Sequence, residues 1–535
     1  MPANTKTHNY LKYNDFRCCF GPIQIRQEVS LLTIYDYSVY INCMAGKIIS
    51  ENKSREFFRI VAKAAFSNPF GAESMELDYK IAGEKYDSGD LLRKKVISIV
   101  RQKLHHISPE EKLNWKNFTG DDGGLIRMAL LFDTYYRCIK DFDALIVKQI
   151  EHGHTPCPVP FAKEILKLLR KRGFSVEEAR HNFAFFYQLR RAWYFIYHGL
   201  IGQNPSMEEL RCHLWRSIFT YDPRWYEKFL WNRMEDFSTF LVGETGTGKG
   251  TAATAIGRSG FIPFDENKAC FAESFTSNFI EINLSQFPEA LIESELFGHK
   301  KGSFTGAISD HQGVFARCSR YGAIFLDEIG DISIPAQIKL LKVIEERNFS
   351  AVGSHKKLYF NGRVIAATNK SLNKLREQGT FRDDFYYRLC SDIIHVPSLR
   401  QQIAEDHNSI KILLDHVIQK IIGEPAPELL KSILEILNTE INPNYHWPGN
   451  VRELEQATRR ILLTRHYKGD TSSMSASLTD QLQKAIEREA LNAQELLSSY
   501  CAILYQKYGT YEEVSRITRL DRRTVKKYIM AAQNS

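Results

Sequence analysis

Phe240-Leu241-Val242-Gly243-Glu244-Thr245-Gly246-Thr247-Gly248-Lys249 is the stretch on which the reading of the fold turns. A short apolar run enters a glycine-rich loop, the loop ends on a lysine, and the helix-compatible Thr251-Ala252-Ala253-Thr254-Ala255-Ile256 follows. Strand, loop, lysine and helix in that order make a phosphate-binding loop. The glycines let backbone N–H groups converge on phosphate oxygens, and the helix N-terminus adds partial positive charge. Gly243, Glu244, Thr245, Gly246, Thr247, Gly248, Lys249, Gly250 and Thr251 are therefore expected to hold ATP, with Lys249 reaching its β- and γ-phosphates. One position departs from the pattern. Where the general motif has Ser or Thr to hold magnesium, Gly250 stands, and Thr251 substitutes for it only if the helix starts differently.

Downstream, Tyr321-Gly322-Ala323-Ile324-Phe325-Leu326 reads as a buried strand ending in Asp327-Glu328. Asp327 is expected to hold Mg, directly or through water, and Glu328 to polarise the water that attacks the γ-phosphate. A further strand, Arg363-Val364-Ile365-Ala366-Ala367, ends in Thr368-Asn369, polar groups placed to sense that phosphate by hydrogen bonds. From residue 206 to about 465, short apolar strands alternate with amphipathic helices, the pattern of an α/β sheet.

A chain of 535 residues is long for one core and implies two to four domains. With 43% hydrophobic and 25% charged residues it has the composition of a globular protein, and the net charge of +8 permits nucleic-acid binding without requiring it. The ten cysteines include no CxxC pair and no zinc spacing, which points to reduced thiols in the cytosol. The first residues lack the apolar core of a secretory signal, and no stretch approaches the ~20 apolar residues of a membrane span. A cytoplasmic location with no membrane partner is expected.

Glu293-Ser294-Glu295-Leu296-Phe297-Gly298-His299-Lys300-Lys301-Gly302-Ser303-Phe304-Thr305-Gly306-Ala307 narrows the reading. Its end resembles the GAFTGA loop of the bacterial enhancer-binding proteins, the AAA+ activators of sigma-54 RNA polymerase, with Ser303 in place of alanine. Flanking glycines permit a mobile loop, and an exposed Phe304 with Thr305 at its tip marks a contact surface. The resemblance implies that residues Gly302, Ser303, Phe304, Thr305, Gly306 and Ala307 touch the sigma factor. It also implies that Asn283 holds the catalytic glutamate off until needed, and that Arg382 and Arg388 act as arginine fingers on a neighbouring subunit's γ-phosphate. By the same resemblance Arg452, after Trp447-Pro448-Gly449-Asn450-Val451, contacts the bound nucleotide. Catalysis would then need a homo-oligomer, in this family a hexamer. The family usually has glutamate where Gly250 stands.

In the tail, Thr510 reads as the N-cap of a helix over 511–517 and Asp521 as the cap of a basic second helix. Val514, Ile517, Leu520, Val525 and Ile529 would form a small shared core, as in a helix-turn-helix. Arg522, Arg523, Lys526 and Lys527 would lie near the groove of double-stranded enhancer DNA, on phosphates and base edges. The expected plan is α/β: a regulatory region of unknown fold at 1–205 with strands (Val29 to Cys43) and helices; an AAA+ P-loop ATPase at 206–395; its helical lid at 396–466; a linker at 467–490; and a helix-turn-helix at 491–535. Residues 1–205 show no acidic series of the phosphoacceptor type, and the signal they receive is not legible. The aromatic run from Phe183 to Tyr197 reads chiefly as core, and His152 with His154 is a weak metal signal. The function expected is ATP-driven remodelling of the sigma-54 holoenzyme. The alternative is a regulator that binds nucleotide and DNA with weak or no turnover.

Overall fold

The apolar run before the phosphate loop becomes β1 (Thr239–Val242), with parallel neighbours on both sides. The computed structural model describes residues 49, 52–84, 88–443, 445–469, 482, 485–486 and 491–533. Two short strands follow β1, β2 (Phe264–Asp265) and β3 (Cys270–Phe271), paired as a hairpin. Next come β4 (Phe279–Asn283), β5 (Ala323–Asp327), the small pair β6 (Asn348–Phe349) and β7 (Leu358–Tyr359), then β8 (Arg363–Thr368) and β9 (Asp392–His395). The central sheet runs β4-β5-β8-β1-β9, parallel throughout.

Both faces of this sheet are covered, so its strands read as continuous apolar runs and do not alternate. Leu241, Phe325, Ile365 and Ile394 belong to a core on one face. Their neighbours Phe240, Ile324, Leu326, Val364 and Ala366 belong to a second core on the other, which includes residues of the helices Glu289–Phe297 and Ile334–Glu346. The register aligns Val242 with Thr368 and Asn283 with Asp327, so the strands finish at one level and deliver their polar ends to one edge. Beyond the sheet, four helices (Leu399–Glu405, Ser409–Ile422, Pro427–Glu440, Asn450–Thr464) form a lid with its own core.

The expectation of mixed strands and helices before residue 206 is not met among the described residues. From Asn52 onward they form α1 (Asn52–Phe66), α2 (Ala72–Ala82), α3 (Gly89–Ile107), α4 (Asp121–His152), α5 (Ala162–Lys171), α6 (Val176–Gly199) and α7 (Pro205–Phe219), with no β-strand. The strand-like run Val29 to Cys43 lies outside the described residues. α6 starts in a capping box, Ser175 Oγ accepting from Glu178 N while Glu178 accepts from Ser175 N. Asp133 of α4 is 1% exposed and ties α3, α4 and the end of α5 together, taking Arg172 at 2.5 Å, Arg101 at 2.6 Å and Arg137 at 2.9 Å. Burial alone would raise this carboxyl, but the three guanidiniums outweigh it and hold its pKa below the ordinary aspartate value.

Nor does packing break at residue 205. Of the α6 aromatics that read as core, Phe183, Phe185, Phe186 and Tyr187 are buried, Trp193, Tyr194 and Phe195 are half-buried, and Tyr197 is exposed; Phe183 and Tyr187 pack against the β2–β3 hairpin of the next region. Phe183 stacks on Phe271 at 6.0 Å and meets Phe264 edge-on at 4.9 Å, while Tyr187 stacks on Phe271 at 4.1 Å. Arg191, fully buried on the same helix, donates to the carbonyls of Arg258 (2.5 Å) and Gly260 (2.7 Å), just past the helix that follows the phosphate loop. A cation at a helix C-terminus is favoured by the exposed carbonyls there. The linker expected from residue 467 also begins later, because Tyr467 is buried in the lid core, stacks on Trp447 and donates to Glu453 at 2.7 Å. Among the described residues the seven cysteines are free, no three or more His, Cys, Asp or Glu side chains cluster as a metal site would require, and no helix is long and apolar enough to cross a membrane.

The Asp133 cluster makes a prediction with a definite sign. Its native pKa is lowered, so its stabilisation is complete above the unfolded value of about 4 and is lost as pH falls through the native one. Asp133→Asn is expected to cost about 3 kcal/mol at pH 7. The gap between its urea midpoint and that of the wild type should narrow toward pH 3, and an equal gap at both pH values would refute the linkage.

Candidate functional site

The phosphate loop leaves β1 at Gly243 and enters a helix at Lys249 (Lys249–Gly257). Gly246 and Gly248 have φ of 79° and 99°, backbone that glycine adopts without strain. Lys249 is buried and its Nζ donates to the loop's own carbonyls, Gly243 O at 2.9 Å and Glu244 O at 3.1 Å. Burial lowers its pKa, while Glu328 and Asp327 pull it back up. The lysine is thus held in the loop it serves, within the field of both acids.

Asp327 ends β5, and Glu328 follows in a left-handed conformation, φ 55°, which is rare for a non-glycine residue and turns the chain sharply off the strand. Burial raises both carboxyl pKa values. Asn369 N donates to Glu328 Oε2 at 3.3 Å, and its Nδ2 donates to Thr245 Oγ1 at 2.9 Å. One residue after β8 therefore bridges the acid pair, through its backbone N–H, and the phosphate loop, through its side chain. Thr368 is buried and its hydroxyl accepts from Lys370 N at 3.1 Å, so it shapes the turn that carries Asn369. Asn283 stands level with Asp327, but its Oδ1 accepts from Ser285 N (3.1 Å) and Ser285 Oγ (2.8 Å) and caps a short turn, with no bond to Glu328.

The lid closes over this edge. Buried Asn450, φ 53°, donates to Thr245 O (3.0 Å) and Glu244 Oε2 (3.2 Å) and accepts from Leu399 N (2.7 Å). Arg400 forms an ion pair with Glu244, and Val451 N donates to Gly246 O at 3.1 Å. Arg452 is exposed, and its charge reaches both Lys249 and Asp327. Asn450 was not singled out from the sequence; Pro448-Gly449 reads there as a turn, and nothing local reveals that its next residue grips a loop some 200 positions earlier.

The remaining expected groups lie elsewhere on the surface. Arg382 pairs with Asp384 (Nη2–Oδ2 2.6 Å), and Arg388 Nη2 donates to Ile344 O at 3.3 Å. Neither is bonded to its own chain's phosphate loop or acid pair, among the described contacts. In the 302–307 loop, Gly302 N donates to Ala307 O at 2.8 Å and Ala307 N to Phe304 O at 3.0 Å. Thr305 is exposed, and so is Phe304, at 36%, with its ring edge-on to His299 at 4.9 Å. Ser303, the departure from alanine, is half-buried beside Gly353.

At the C-terminus, helices Ala493–Tyr508, Tyr511–Thr518 and Arg522–Gln533 share a core of Cys501, Leu504, Val514, Val525 and Ile529. Asp521 caps the last helix through Arg523 N at 2.8 Å and Thr524 N at 3.2 Å, as expected from its position. Thr510 makes no cap bond, and the turn is made by Arg519 at φ 58° where a glycine is usual. Arg523, Lys526 and Lys527 are exposed on that helix, whereas Arg522 pairs with Glu512 at 2.8 Å.

Gly246 offers a direct test of the closed lid. A Cβ there would come within 2.2 Å of Gly449 O and 2.9 Å of Arg452 Cβ, at a backbone angle that disfavours any side chain. Gly246→Ala is expected to weaken binding of a fluorescent ATP analogue at least ~10-fold, since lost near-contact geometry of this kind costs more than about 1.4 kcal/mol. An unchanged anisotropy titration would contradict the packing described.

The Sigma-54 interaction domain family matches residues 226–395. The DNA-binding transcriptional regulator NtrC of Azospirillum brasilense is 36% identical over 262 residues, 49% of this chain and 47% of that protein. The regulatory protein AtoC of Escherichia coli (strain K12) is 37% identical over 228 residues, 42% of this chain and 45% of that one. The chain spans about half the length of the curated relatives it matches. Crystalline NtrX from Brucella abortus in complex with ATP overlays with a TM-score of 0.38 at 18% identity, covering 70% of this chain and 80% of that chain, too loosely to bear on the site. Through residues 226–395 the chain resembles the Sigma-54 interaction domain family and the regulators that match it.

Proposed function

We propose that this protein is a sigma-54-dependent transcription activator that hydrolyses ATP in an oligomeric ring, binds enhancer DNA, and uses the released energy to remodel the sigma-54 RNA polymerase closed complex. The observation that carries the hydrolytic part is Asn369, bonded at once to Glu328 and Thr245 beside Lys249. A group so placed can report the presence of a γ-phosphate to the residue that activates water. The matching family supports the choice of sigma-54 as partner.

In this reading the loop N–H groups and Lys249 take the phosphates, Arg452 covers them from the lid, and Glu328 orients the attacking water and accepts its proton. Asp327 fits a magnesium ion: it ends a strand at the phosphate edge, and its hydrogen bond from Glu328 N at 3.0 Å occupies one oxygen. Gly250 adds no ligand. When bound, the ion would neutralise charge on the β- and γ-phosphates. Thr251 does not replace the missing hydroxyl, because the helix begins at Lys249 and the Thr251 methyl lies against Gly199 of α6. Arg382 and Arg388, unused by their own site, are proposed to complete a neighbour's in a hexamer. Arg523, Lys526 and Lys527 are proposed to meet DNA.

Phosphate release from the purified protein tests hydrolysis, with Lys249→Ala expected to abolish it. Arg382→Ala should cut turnover by about 10³-fold or more while preserving nucleotide binding, as for a guanidinium supplied in trans. Mixing the two inactive variants should restore part of the activity, and failure to do so would remove the shared-site argument. Gly250 favours a second reading, in which nucleotide is bound and not turned over; phosphate release at or below the Lys249→Ala level would establish it. For the partner, Thr305→Ala is expected to keep ATP hydrolysis and lose capture of sigma-54 in the presence of a transition-state mimic. Retained capture would mean that the loop is assigned wrongly.

A further inference from the structure

Position 250 lacks the side chain that a phosphate loop ordinarily turns toward magnesium. The space it would fill is open. A Cβ built on Gly250 meets nothing closer than Glu281 Oε1 at 3.9 Å and Phe325 Cε1 at 4.0 Å, and the backbone there is ordinary helix. Outside its own helix, the nearest polar atom to the start of the missing side chain is thus a carboxylate oxygen on β4.

We propose that Glu281 is the positioning residue that replaces the missing group, reaching from β4 across the open space at Gly250 to hold the water shell of the nucleotide's magnesium ion. Glu281 pairs in register with Phe325, two residues before the Asn283–Asp327 pair. Side chains two apart on a strand share a face, so Glu281 lies on the face of Asp327. It borders a cavity of about 420 Å³ with Gly250, Thr251 and Thr254 of the phosphate-loop helix and Phe195 and Gly199 of α6. That is room for an ion's waters, which magnesium gives up reluctantly. Among the described residues Glu281 makes no hydrogen bond or ion pair that would occupy its carboxylate. An edge-strand carboxylate kept only for solubility would have no reason to lie over residue 250.

This inference rests on the nucleotide-hydrolysis reading, and the experiment separates the two. The full chain is titrated with a fluorescent ATP analogue at a series of magnesium concentrations and in EDTA, and binding is followed by anisotropy. Glu281→Gln, nearly the same shape, is expected to raise the magnesium concentration for half-maximal tightening by about 10-fold, the usual effect of losing an outer-shell partner, with binding in EDTA unchanged or slightly tighter. Gly250→Ser placed in Glu281→Gln, which the open space accommodates, should bring the magnesium dependence back toward the wild type. An unaltered magnesium midpoint in Glu281→Gln overturns the proposal, as does an equal loss of binding with and without magnesium, which would mark a structural role. If the wild type binds no nucleotide under any condition, the hydrolytic reading falls, and this inference with it.

Discussion

Everything at the phosphate edge depends on one buried amide. Asn450, in a backbone conformation that few residues adopt, spends its side chain on three bonds that join the first lid helix to the phosphate loop. An unpaired buried amide would cost several kcal/mol, so the lid and loop are compelled to stay together while the fold persists. The loop is then trapped between sheet and lid, with Gly246 too close to Gly449 for any side chain. The helix geometry, the lysine and the sensor asparagine take their places around that clamp.

The same helix that begins at Lys249 is held at its far end by a different region. Arg191 donates two bonds to carbonyls at and beyond its C-terminus, and a wall of stacked aromatics on α6 covers the hairpin beside it. Burial lowers the Arg191 pKa to about 10, which leaves the guanidinium charged at neutral pH. The nine-residue phosphate-loop helix therefore has one end at the phosphate loop and the other facing the N-terminal helices.

What could be read in advance follows from how local each signal is. The phosphate loop, Asp327-Glu328 and Thr368-Asn369 are short contiguous patterns whose chemistry dictates their spacing, and the sheet brings them to one edge. Asp521 was legible because a cap acts within three residues, whereas Thr510 at a similar place makes no cap bond. Contacts between distant segments left no such trace. Phe183 and Tyr187 announce a core, but not that the core belongs partly to Phe264 and Phe271. Strands of two residues, as in that hairpin, carry no periodicity to detect. Gly250 was visible as a gap, while Glu281, 31 positions later, reads as an unremarkable charge on a strand until the sheet sets it opposite.

Arg191 has a consequence for how a signal could enter this molecule. A sensor tethered by a flexible strap can swing away and leave its motor intact, but helices that share a core with the motor cannot leave without exposing Phe264, Phe271 and two bare carbonyls. Cutting the chain near residue 205 would damage the fold of what remains, and the behaviour of the fragment would say little about restraint. Any displacement of α1–α5 would bear on α6, and through Arg191 on the tail of the helix that begins at Lys249.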